Sequence, residues 1–151
     1  MPSVELSERL RPHRKDLVLA AEATFKGYNG KLPDKAQFSR LVTVCGEASC
    51  AEEIRNYLRY QSSRDRAPWD EEFARVVLKG IEGVLAKPEL ASDEARVEAW
   101  KLFATFLSRA FTYEKACRTP AGAGAPPPPQ GARQDMQQGQ QPQQGRKHHG
   151  R

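Results

Sequence analysis

Several things are scarce in this 151-residue chain. No apolar run approaches the roughly 18 residues that a membrane-spanning helix requires, so a membrane-spanning protein is not expected. There are three cysteines, Cys45, Cys50 and Cys117. An odd and small number behind a polar start, Met1-Pro2-Ser3-Val4-Glu5, points to a reducing, cytoplasmic compartment rather than a disulfide scaffold. Val, Ile and Thr are sparse and nowhere alternate with polar residues over six positions, which disfavours strands. The last 33 residues, 119–151, hold no Phe, Trp, Tyr or Cys but 8 Gln, 6 Pro and 6 Gly. A segment of that composition cannot bury a core and reads as a disordered tail.

What remains is one domain-sized body, 1–118, carrying every aromatic residue. The formal charge of +5 divides into +3 in the tail and +2 in the body. A polyanion site on the body must therefore come from where its charges sit rather than from their sum.

Apolar spacing predicts an all-α body, a compact bundle of about five helices. The first runs from about Glu5 to Lys26, with Leu6, Leu10, Leu17, Ala21 and Phe25 on one stripe and Gly27 as the stop. Asp34 is the expected N-cap of a short second helix bearing Phe38, Leu41, Val42 and Cys45, with Gly46 ending it. Ser49 and Glu52 form a capping-box pattern opening a third helix, with Ile54, Tyr57, Leu58 and Gln61 inward and Pro68 closing the stretch. A fourth begins at Trp69 or Asp70, buries Phe73, Val76, Val77, Gly80, Ile81 and Val84, and stops at Lys87-Pro88. Ser92 caps the fifth and longest, which ends near Cys117. Trp100, Phe103, Ala104, Leu107 and Phe111 make its first stripe, and Leu102, Phe106 and Tyr113 a second.

Catalysis needs groups that converge, and the body has a single histidine, His13, read as a partly exposed helix residue beside Arg14 and Lys15. Glu52-Glu53 and Glu71-Glu72 are adjacent at helix starts, where carboxylates favour the helix dipole. The cysteine spacing does not fit a zinc site, and Cys45 on an apolar stripe reads as a small buried hydrophobe. His148-His149 would give at most weak adventitious metal binding. No enzyme activity, cofactor or metal is expected.

The most informative stretch is residues 53–69. Arg55 and Arg59 stand one helical turn apart, and Ser62, Ser63 and Arg66 are expected to continue that side, a basic ridge of about 16 Å opposite Ile54, Tyr57, Leu58 and Gln61. A guanidinium holds phosphate oxygens bidentately, and Asn56, Tyr60 and Ser63 could add hydrogen bonds to a nucleic-acid backbone. Arg55, Arg59, Arg64 and Arg66 are the expected contact residues. The competing reading of this face is a solvated charged surface.

The basic helix ending in Tyr60 and Arg64, and the closing segment Trp100-Lys101-Leu102-Phe103-Ala104-Thr105-Phe106-Leu107-Ser108-Arg109-Ala110-Phe111-Thr112-Tyr113-Glu114-Lys115 with its paired phenylalanines and following tyrosine, resemble the small helical subunit of type III CRISPR effector complexes, the Csm-type more than the Cmr-type. The resemblance implies a non-catalytic subunit that stacks with copies of itself, joins the other subunits of the effector, and lies against guide and target RNA backbone without reading sequence. Cleavage would belong to other subunits. A reading from another class stays open: a helical adaptor whose Pro126 to Pro129 recruits an aromatic-grooved domain.

Overall fold

The fold is taken from a computed structural model that describes residues 2–118; the expected tail, 119–151, lies outside the described residues. The described chain is all-helical and contains no strand. It forms α1 (Val4–Leu10), a 3₁₀ turn (Arg11–His13), α2 (Arg14–Lys26), α3 (Lys35–Glu47), α4 (Ala51–Ser63), α5 (Glu71–Leu85), a second 3₁₀ turn (Pro88–Leu90) and α6 (Asp93–Arg118). Because α1 and α2 join without a gap, five helical rods result, as the spacing predicts.

The first rod is not one regular α-helix. Pro12 has no N–H to give to the α-helical ladder, and the chain tightens to 3₁₀ geometry over Arg11–His13 before resuming. The turn also carries His13 inward. It is buried, not partly exposed as expected, and its Nε2 lies 3.6 Å from Glu89 Oε2 on the second 3₁₀ turn.

Side-chain capping explains two of the other helix starts, whereas Asp34 stands at the N-cap position of α3 as expected but its side chain makes no cap hydrogen bond. Asp70 starts α5 by accepting the Phe73 N–H at 3.3 Å, and Ser92 starts α6 by accepting the Ala95 N–H at 3.2 Å. The capping box expected at Ser49 and Glu52 does not form. Cys50 is the N-cap of α4, and Glu53 reaches back to the Ser49 N–H at 3.4 Å. Gly46 does not end α3, which continues through Glu47.

Long α6 is the centre, with Trp100, Phe103, Ala104, Leu107 and Phe111 buried. Its second stripe is only half-buried at Leu102 and Phe106, and Tyr113 stands 72% exposed. At one end an aromatic cluster joins four rods: Phe38 stacks on Phe111 at 4.5 Å, and Phe73 lies 5.7 Å from Trp69 and 5.6 Å from Phe25. Tyr28 seals its edge, its hydroxyl 2.7 Å from Asp70 Oδ2. Burial, then the neighbouring Asp70, raises the Tyr28 pKa, and the hydroxyl's hydrogen bond is the main cause holding the Asp70 carboxyl below its ordinary range.

Gly80, on α5, is explained by close approach of α2. A Cβ there would sit 3.1 Å from Thr24 Oγ1 and 3.6 Å from Phe103 Cζ. Only a very small residue lets these rods meet.

Candidate nucleic-acid interface

Helix α4 packs by Ala51, Ile54 and Leu58, with Tyr57 and Gln61 half-buried, so Arg55 and Arg59 are turned outward. Across from them runs α5 in the opposite direction. Ala51, Glu52 and Arg55 line one groove with Leu85, Glu82 and Ile81, while Ser62 and Ser63 line the next with Ala74, Arg75 and Glu71. Arg59 and Leu78 belong to both, which joins the two hollows, about 220 and 390 Å³, along the α4–α5 seam. From Glu52 to Ser63 this seam is about 16 Å long.

Two cations that the sequence reading did not include enter this groove. Arg96 comes from α6, half-buried and held by a 3.3 Å hydrogen bond from its Nε to the Leu90 carbonyl, and Arg75 comes from α5 in a 3.1 Å ion pair with Glu71. No local pattern marks them, because only packing of α5 and α6 beside α4 brings them to Arg55 and Arg59. Trp100 closes the inner wall beside Arg96.

Among the described residues, Arg55, Arg59, Arg64 and Arg66 form no ion pair. All four are exposed. Glu52, Glu82 and Glu71 share the two hollows with Arg55 and Arg59; the Glu52 carboxyl is held below the usual range chiefly by backbone hydrogen bonding at the start of α4, with smaller contributions that include the charges of Arg55 and Arg96.

The four arginines do not form a single ridge. Helix α4 ends at Ser63, where the Ser62 hydroxyl bonds back to the Arg59 carbonyl at 3.1 Å and the Ser63 hydroxyl to the same carbonyl at 2.7 Å. The Ser63 hydroxyl also reaches the Tyr60 carbonyl at 3.2 Å, one of those that a helix end leaves free, and beyond it the chain departs from the helix. Arg64 is already extended, at φ −68 and ψ 153, and Arg66 sits in the following turn at φ 52, a left-handed conformation. Arg66 therefore does not continue the side of Arg55 and Arg59 as expected. Arg64 lies over the Tyr60 ring, 5.5 Å from its centroid, and donates to Gln61 Oε1 at 3.0 Å.

The residues considered for other chemistry are dispersed. Cys45 is buried, with burial pushing its thiol up to about 12, Cys50 is half-buried, and Cys117 is exposed at the far end of α6. The two glutamate pairs occupy the first turns of α4 and α5, as their spacing predicts. Among the described residues no group of three His, Cys, Asp or Glu side chains is placed to hold a metal, and no helix is long and apolar enough to cross a membrane.

A separate hollow, about 610 Å³, lies between α2 and α6. Val18, Phe25, Phe106, Ala110 and Tyr113 give it an apolar lining, with Glu22, Lys26, Arg109 and Glu114 at its margins. No protein-family model, curated protein or solved structure matches the chain.

Proposed function

We propose that this protein is a non-catalytic RNA-binding subunit that holds a nucleic-acid backbone in the α4–α5 groove. The observation that carries the reading is the pair Arg55 and Arg59, exposed, unengaged by carboxylates among the described residues and backed by Arg96 in the same groove. Guanidinium groups so placed bind phosphate oxygens whatever the base, so the recognition is of backbone rather than sequence. Together with the resemblance of residues 53–64 and 100–115, this supports membership of a type III CRISPR effector, in which base pairing between guide and target would supply sequence specificity.

Three or four phosphate contacts give a single-strand salt slope of about −2 to −3 in a plot of log affinity against log salt. A slope near zero defeats the proposal. The assembly reading is tested separately by co-purification and mass spectrometry from the native host, where large ribonucleoprotein subunits are the expected companions and their absence counts against it.

One observation favours a second reading, a protein-interaction adaptor: the apolar hollow between α2 and α6 with Tyr113 standing open at its rim. That reading gains if the purified chain retains no RNA at low salt and if removing residues 119–151 abolishes capture of a protein partner.

A further inference from the structure

Tyr60 is one of few large side chains that the fold leaves in solvent, 58% exposed. Its position on α4 is about 100° around the helix from Arg59, so it does not belong to the groove wall. Between the two, the outer surface of α4 carries Asn56 and Ser63, small uncharged residues over which a strand can pass. The Tyr60 ring is nonetheless held. Arg64 lies over it at 5.5 Å from the centroid, and Arg64 is itself tied to Gln61. Among the described residues the ring has no aromatic neighbour and its hydroxyl no hydrogen-bond partner.

We infer that Tyr60, backed by Arg64, is a stacking ledge for an unpaired nucleobase, and that the preferred ligand is single-stranded RNA rather than a duplex. The inference rests on the groove reading above and deepens it. A strand whose phosphates lie along Arg55 and Arg59 turns its bases over the narrow crest of α4, and the first flat apolar surface met there is the Tyr60 ring. Every base has a π-face, so stacking adds affinity without adding sequence preference, in keeping with a site that otherwise grips only backbone. Bases paired within a duplex are stacked on one another and cannot reach the ledge. The guanidinium adds a cation–π contact that favours the ring orientation observed.

The test uses the full chain, fluorescence anisotropy, a mixed-sequence single-stranded RNA of about 12 nucleotides, and the same strand annealed to its complement. Tyr60→Leu keeps an apolar side chain but removes the flat ring; single-strand affinity should fall about 5-fold to 100-fold while duplex affinity and the salt slope stay as in wild type. Tyr60→Phe should keep single-strand affinity within about 2-fold. Circular dichroism of the variants should match wild type, because the position is exposed. If Tyr60→Leu binds the single strand as wild type does, or loses affinity equally for strand and duplex, the ledge is wrong and the groove reading stands. If wild type binds neither RNA, the groove reading and the ledge fall together.

Discussion

Arginines along the α2–α6 seam are engaged by the fold, whereas Arg55 and Arg59 on the α4–α5 hairpin are not. At the seam Arg118 reaches from the last turn of α6 to the carbonyls of Phe25 and Tyr28 while pairing with Glu114 at 3.2 Å. Arg14 and Arg109 both lie over the half-buried Phe106 ring, at 6.0 and 5.9 Å. These groups satisfy helix-end carbonyls and cover aromatic surface, so their charge serves cohesion. On the hairpin, Arg55 and Arg59 project from a helix that buries its opposite face well without them. Residue type is the same in both places, and only the partner each fold position supplies separates a structural cation from one left for a ligand.

That contrast can be broken from either side. The largest effect is expected in the aromatic cluster that anchors the seam: Phe38→Ala should cost about 3–5 kcal/mol in chemical denaturation, since a fully buried ring stacked on Phe111 is removed. Next comes the hairpin. Arg55→Ala with Arg59→Ala should weaken single-stranded RNA binding about 10- to 100-fold, flatten the salt slope by about 1.4 and leave stability within about 0.5 kcal/mol. A stability loss comparable to that of a core variant would erase the distinction. Arg118→Ala should do the reverse, lowering stability by about 1–2 kcal/mol with RNA affinity held.

A smaller effect sharpens the capping argument at the edge of the cluster. Asp70→Ala should lower stability near neutral pH by about 1 kcal/mol, because the α5 cap and the Tyr28 hydrogen bond are both lost. The sign with pH follows from the Asp70 pKa being lowered from 3.8 in the folded protein. Its stabilising contribution is present above 3.8 and disappears as pH falls through the lower folded value, so wild type and variant should converge in acid denaturation below that point.

Much of this architecture could be read from residue spacing, and the failures have specific causes. Leu6, Leu10, Leu17, Ala21 and Phe25 marked the buried stripe of the first rod correctly, and Asp70 and Ser92 marked two helix starts, because periodicity and capping act over a few neighbouring residues. Pro12 was passed over because the apolar stripe continues on both sides of it; the missing N–H changes hydrogen bonding without changing which face is apolar. The capping box read at Ser49 and Glu52 does not form because the helix starts one residue later, with Cys50 at the N-cap, and Glu53 rather than Glu52 reaches back to the Ser49 N–H. Of the candidate interface, Arg55 and Arg59 were legible from their one-turn spacing. Arg66 was misplaced because the serine back-bonds that end α4 compete with a helix pattern still apparent in the sequence. Arg75 and Arg96 were invisible, since their arrival depends on how separate rods pack.

The turn beyond α4 ties a cation to an awkward piece of main chain. An arginine at φ 52 occupies ground on which glycine rests more easily. Arg66→Gly should therefore make the protein slightly sturdier, by about 0.5 kcal/mol in denaturant, while trimming the RNA salt slope by about 0.7 if that guanidinium meets a phosphate. A loop that relaxes as it loses its grip would identify this corner as one where endurance is given up for contact with a passing strand.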